Sequence, residues 1–220
     1  MNTVDRLRKD SNTVWKTIIE HPFVVELYRG ELPLEKFNFY ILQDYHYLIA
    51  AIKNFGLITS KATPVEAMKE VAEILHLEAT SEFEGYKDFL SRLGYSIRDA
   101  SEIDPIPSSI SYSSFLLSTS SLKSYPEAIT AVLPCFWSYA EIADYHRDKL
   151  STNQNQLYKD WAEVYTTDSY LTLVEKIKML VNRAGEGFPY EKLKTVFITA
   201  SRYECMFWDA VYRTTKWPDQ

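Results

Sequence analysis

Apolar residues recur along this chain at the three- and four-residue spacing of helices, and no apolar–polar alternation runs beyond four or five residues. A first helix is predicted over about Val4–Glu20, with Leu7, Val14, Trp15, Ile18 and Ile19 on one stripe and His21-Pro22 closing it. A short segment from Phe23 to Arg29 stops at Gly30, and Pro33 opens a long helix reaching about Lys61. Thr63-Pro64-Val65-Glu66 reads as a capping box with proline at the first helical position, starting a helix that runs to about Leu93 and ends at Gly94. Residues 95–107 read as the longest loop. Further helices are predicted over about Ser109–Ser121, from Pro126 to the polar turn "STNQNQ", and over about Leu157–Thr166, Asp168–Ala184 and Pro189–Thr215. With no internal repeat and no linker, the pattern predicts an all-α, single-domain helical bundle over residues 1–220.

Two carboxylates interrupt these stripes. Phe37, Tyr40, Ile41, Tyr47, Leu48 and Ala51 mark the apolar face of the helix after Pro33, and Asp44 falls in its middle, with Gln43, His46 and Lys53 on the wetter side. On the last helix Phe197, Ala200, Phe207, Trp208 and Val211 mark the face, Glu204 falls in its middle, and Arg202, Asp209 and Arg213 take the other side. An ionised group buried alone is costly, so each acid is expected to be paired, hydrogen-bonded or protonated.

In "AVLPCFWSYAEIADYH", Pro134 and Cys135 break a third helix. Proline there removes the hydrogen bond to the Thr130 carbonyl and loosens the turn before the thiol. Cys135 shares a face with Tyr139 and Ile142, whereas Cys205 points about 100° away from Glu204 and reads as packing. Tyr112 and Tyr165 lie on separate helices and carry no meaning by themselves. Glu73-Ile-Leu-His76 has the acid–histidine spacing of di-iron bundle sites, but a second copy is missing, so no metal is expected.

Composition narrows the chemistry. Lys and Arg number 24 against 30 Asp and Glu, a formal charge of −6, which disfavours nucleic acid and anionic membranes as partners. No apolar stretch approaches a membrane span, the N-terminus lacks a signal-peptide core, and two cysteines 70 positions apart suggest a reducing cytoplasm. Aromatic residues make up 15% of the chain, with sixteen tyrosines, enough to build a pocket for a flat ligand.

"ILQDYHYL" with Asp44 and Tyr47, "SYSSFLL" with Tyr112, "PCFWSYAEIADYH" with Cys135 and Tyr139, "WAEVY" with Tyr165, and "SRYECMFWDAVYRTTKW" with Glu204 and Phe207 follow one another as in TenA-type proteins. The chain therefore resembles the thiaminase II family, in its cysteine-containing group, from residue 44 to the C-terminus. The resemblance implies a haem-oxygenase-like fold, usually a homotetramer. It implies a cofactor-free hydrolase that converts 4-amino-5-aminomethyl-2-methylpyrimidine, or thiamin, to the 5-hydroxymethyl compound. Cys135, Glu204 and Asp44 would be catalytic, and Asp44, Tyr47, Tyr112, Tyr139, Tyr165 and Phe207 would bind the substrate.

On that reading Asp44 accepts from the exocyclic amine and a neighbouring ring nitrogen, and Glu204 shares a proton with the opposite ring nitrogen. Cys135 adds to a ring carbon, the group on the methylene leaves, water attacks and the thiol departs. The sequence offers no cation or helix N-terminus to lower the thiol pKa, so a tertiary contact activates it or a carboxylate takes its proton. The competing expectations are a haem-oxygenase-like di-iron or haem-dependent oxidase and a non-catalytic pyrimidine-binding regulator. The sequence does not rank thiamin against the aminomethyl compound.

Overall fold

A computed structural model describes residues 1–219. Among these residues the chain is helical throughout: α1 (Thr3–Asp10), α2 (Asn12–Ile19), α3 (Pro22–Arg29), α4 (Leu34–Lys61), α5 (Val65–Leu77), a π-helical turn (Glu78–Glu82), α6 (Phe83–Arg92), α7 (Ile97–Glu102), α8 (Pro107–Leu122), α9 (Tyr125–Leu150), α10 (Gln156–Val164), α11 (Asp168–Ala184) and α12 (Tyr190–Tyr212). No described helix is long and apolar enough to cross a membrane.

Four local expectations change. The first helix splits at Ser11, whose buried hydroxyl donates to the Arg8 carbonyl at 3.0 Å, a side-chain bond that competes with helix continuation. The helix predicted to Leu93 starts at Val65 without a Thr63 cap and is interrupted by the π turn. The expected loop over 95–107 contains α7, where Ser96 and Asp99 form the reciprocal capping bonds that Thr63 and Glu66 do not. The "STNQNQ" turn is polar but not solvated throughout: Asn153 is buried and its amide donates to the Leu27 and Tyr28 carbonyls, closing the end of α3 beside Gly30.

The side of α4 expected to be wetter is covered at Gln43 and His46, while Lys53 is exposed as expected. Gln43 is buried, donates to the Asp104 carbonyl at 3.1 Å and accepts from the Ile106 N–H at 2.9 Å, while His46 Nε2 bonds the Ile103 carbonyl at 2.7 Å. These bonds tie the segment between α7 and α8 onto α4, and so fix where Tyr112 enters the interior.

The apolar interior has two parts. One gathers around Trp15, which stacks on Phe197 at 5.8 Å, meets the edge of Trp137 at 5.1 Å and donates to Ser201 Oγ at 3.0 Å. The other gathers around Tyr40, Trp161 and Trp208. Each large ring taken out of water contributes roughly 1.5–3 kcal/mol, so these clusters set the bundle rigidly. Helix α9 packs against α12, α11, α8 and α3 and contributes to both clusters, with Pro134 inside its 26 residues.

Candidate active site

A pocket of about 550 Å³, counting the part of its mouth open to solvent, lies at the seam of the two clusters. Helix α4 presents Tyr40, Asp44, Tyr47 and Leu48 to it, α8 presents Tyr112, α9 presents Cys135, Phe136 and Tyr139, and α12 presents Glu204 and Phe207. All eight residues named as site candidates from the sequence line this one cavity. Tyr165 reaches it from the position that ends α10, one residue beyond the last helical turn.

Cys135, Glu204, Tyr112 and Tyr47 form one group. The Tyr112 hydroxyl donates to Glu204 Oε1 at 2.7 Å. The Cys135 thiol is within hydrogen-bonding reach of both the Glu204 carboxyl and the Tyr47 hydroxyl. Burial pushes Glu204 up to about 7, even though the bonds from Tyr112 and Cys135 pull it down. Its acid form is therefore well populated near neutrality. Burial, followed by the neighbouring Glu204 charge, holds the Cys135 thiol well above its ordinary value, so the resting sulfur is protonated. No cation lowers it; of the two routes to activation left open by the sequence, the geometry favours transfer of the proton to a carboxylate.

Asp44 belongs to a second group with two acids the sequence reading missed, Glu78 and Glu82 of the π turn. Burial and then the Glu82 charge raise Asp44 to about 8, with Glu204 a weaker influence. Glu78 is raised well above its ordinary value by burial, then by Glu82 and Asp44. Tyr40, Phe136 and Tyr170 also line the cavity and were not singled out. A signal for Glu78 existed: it continues the buried face Ala67, Val71, Ile74 one turn later, so it breaks a stripe just as Asp44 and Glu204 do.

The walls are aromatic. Tyr47 and Tyr112 lie 5.3 Å apart between ring centroids, Tyr139 and Tyr165 4.8 Å, and Tyr165 and Tyr170 5.1 Å. Such a box suits a flat heteroaromatic ring with polar edges. The acid–histidine pair is elsewhere: Glu73 and His76 are exposed, and Glu73 ion-pairs with Lys176 at 2.7 Å. Among the described residues no three His, Cys, Asp or Glu side chains are arranged to hold a metal ion. Cys205, half-buried beside the second cluster, packs as expected.

Comparison with known proteins places this geometry. The family model described as TENA/THI-4/PQQC family matches residues 8–214. A protein of Halalkalibacterium halodurans named aminopyrimidine aminohydrolase is 30% identical over 220 residues, covering 99% of this chain and 98% of its own. The solved structure of a TenA homologue from P. horikoshii OT3 superposes with a TM-score of 0.93 at 42% identity, covering 98% of this chain and 100% of that one. A Shewanella denitrificans domain with a heme oxygenase-like fold superposes at 0.77 with 14% identity, over 96% of this chain and 92% of that one, which supports the fold alone.

Proposed function

The chain belongs to the TENA/THI-4/PQQC family, and from that membership we propose that it is an aminopyrimidine aminohydrolase of thiamin-pyrimidine salvage. It converts 4-amino-5-aminomethyl-2-methylpyrimidine, and thiamin, to the 5-hydroxymethyl compound. The observation that carries this reading is the meeting of the Cys135 thiol with the protonatable Glu204 inside an aromatic-walled cavity.

The chemistry follows from those two groups and Asp44. Glu204 gives its proton to one ring nitrogen, which makes the adjacent ring carbon electrophilic. The thiol proton passes to the carboxylate so formed, and the sulfur bonds to that carbon. This removes the need for a resting thiolate, which the cavity disfavours.

Asp44 holds the opposite edge. A ring nitrogen is an acceptor, so an ionised carboxylate fits it poorly. With its pKa near 8, Asp44 enters as the acid: its O–H donates to the ring nitrogen and its C=O accepts from the exocyclic amine. The amine's lone pair then drives out the group on the methylene, which leaves with the bonding pair, while the amine gives a proton to the Asp44 carbonyl oxygen and the Asp44 O–H passes its own to the ring nitrogen. Water adds to the methylene carbon and releases a proton to solvent, the relay through Asp44 runs back as the ring double bonds re-form, and the sulfur departs and takes the proton from the first ring nitrogen. Tyr47, Tyr112, Tyr139, Tyr165 and Phe207 position the ring. Pro134 frees the Thr130 carbonyl of its helical bond in the turn that delivers Cys135.

The family resemblance supports assembly as a homotetramer acting in the cytoplasm, and sedimentation tests the assembly. The activity is tested by chromatography of hydroxymethylpyrimidine formed from the aminomethyl compound or thiamin. The expected result is product from the wild type and a loss of at least ~100-fold in Cys135→Ala, over ~2.7 kcal/mol of barrier. Product from both proteins excludes covalent catalysis by Cys135. No product from the wild type excludes the activity.

A further inference from the structure

Two acids of the cavity, Glu78 buried and Glu82 half-buried, have no part in this chemistry. Glu78 is 5% exposed and lines the cavity, as does Glu82. Among the described residues neither carboxyl receives a hydrogen bond or pairs with Lys, Arg or His, whereas Glu204 is held by Tyr112 and Cys135. Two unpartnered carboxyls side by side in a low-dielectric interior repel each other and lack the partner that burial of a charge requires. In the empty cavity protonation relieves that cost, as the raised pKa of each acid indicates, and a cation that enters supplies the missing partner.

Their position indicates which one. The substrate ring is pinned by Asp44 at the exocyclic amine and by Cys135 at the ring carbon it attacks. The methylene and its leaving group project from the ring position between those two points. Glu78 acts electrostatically on Asp44 and on Cys135 alike, and Glu82 is the strongest charged neighbour of Asp44. The acids therefore border the space that the leaving group enters.

A second observation comes from the rings. The hydroxyls of Tyr165 and Tyr170 both feel Glu82, and their rings meet edge to face at 5.1 Å against the same cavity. Aromatic faces beside carboxylates are the surroundings that organic cations select.

We propose that Glu78 and Glu82, backed by Tyr165 and Tyr170, form an anionic subsite that recognises a positively charged substituent on the substrate's methylene. It rests on the aminopyrimidine reading and makes these acids its specificity determinants. The substituent is an organic cation: the ammonium of the aminomethyl compound or the ring cation of thiamin. Holding a primary amine as its ammonium also ensures that it departs as neutral ammonia, with the bonding pair, and not as an amide ion.

The π turn carries both acids. Glu78 and Glu82 begin and end it, four residues and about one turn apart, so that both reach the cavity.

Equilibrium titration calorimetry on the Cys135→Ala protein, which holds ligand without turning it over, tests this. The probes are the aminomethyl compound, thiamin, and the uncharged hydroxymethyl compound. Glu78→Gln and Glu82→Gln are each expected to weaken binding of a cationic probe about tenfold or more while changing hydroxymethyl binding less than about threefold. Retained hydroxymethyl binding also verifies that each variant is folded. Selective loss confined to one cation supports the subsite and names that cation as its ligand. Equal losses for charged and uncharged probes, or no loss for either cation, overturn the subsite and leave the proposed function standing. Failure of all three probes to bind Cys135→Ala overturns both.

Discussion

The Tyr112 hydroxyl on α8 donates to Glu204 Oε1 on α12 across 2.7 Å, and both residues are almost wholly buried. This bond stabilises the carboxylate and offsets part of the burial that lifts Glu204 to about 7. Because Glu204 must carry its proton to activate the ring, kcat/KM should fall as pH rises through about 7.

Tyr112→Phe removes the donor, so the Glu204 pKa rises and the falling limb moves to higher pH. A charged hydrogen bond of about 1.5 kcal/mol corresponds to about one pH unit. The pH profile of kcat/KM checks it, and a limb that stays put or moves to lower pH refutes the role given to this bond. Glu204→Gln should abolish both the limb and most of the activity.

Cys135 should be a sluggish nucleophile in the empty enzyme. Burial, then the Glu204 charge, keeps its thiol protonated. Removing that charge in Glu204→Gln should make iodoacetamide modify Cys135 severalfold faster near pH 8, as read by peptide mass spectrometry. An unchanged or slower rate would mean that Glu204 does not restrain the thiolate.

The catalytic acids were legible because they break a pattern. Asp44 and Glu204 sit where Tyr40, Tyr47, Phe207 and Trp208 demand an apolar residue, and only a polar cavity reconciles the two. Glu78 obeyed the same logic, one turn beyond Ile74, whereas Glu82 lies at the end of a π turn whose shift in register the helical period does not reveal in advance. Tyr112 and Tyr165 gave no periodic signal, since a tyrosine suits a core or a pocket equally well; only the family resemblance marked them. The break at Ser11 and the burial of Gln43 escaped notice because each depends on a hydrogen bond to a backbone group that spacing alone does not show.

Gly30 and Asn153 should couple. Gly30 ends α3 with a φ of 78°, and a Cβ placed there would meet the Asn153 side-chain oxygen. Gly30→Ala thus incurs both the left-handed backbone cost, about 1–2 kcal/mol, and the clash. Asn153→Ala alone leaves the Leu27 and Tyr28 carbonyls without their side-chain donor, a loss of about 1–3 kcal/mol. In the double variant the clash is gone, so denaturant melts should show less than the sum of the two losses. Strict additivity would mean that the loop relaxes around the added methyl group without involving Asn153.

Asp44 should cost the empty enzyme stability at alkaline pH. Its folded pKa, about 8, lies above the unfolded value of 3.8. Below the unfolded value both states are protonated and nothing is lost. Between the two values the unfolded chain releases its proton while the folded chain retains it, so each rise in pH favours unfolding. The loss is complete above about 8. Buried His21 and His146, both lowered by burial, act in the opposite direction, but only as pH falls below their ordinary 6.5. The window from about 6.5 to 8 therefore isolates the acids of the cavity. Asp44→Asn, which cannot ionise, should raise the melting temperature at pH 8 by several degrees, at roughly 2–4 °C per kcal/mol for a chain of this size. That advantage should shrink steadily as the pH is lowered toward 4. Melting curves of both proteins across this range decide the matter: a constant difference, or one that grows on acidification, would mean that Asp44 is ionised in the folded cavity and that its pairing with the substrate ring begins from the carboxylate.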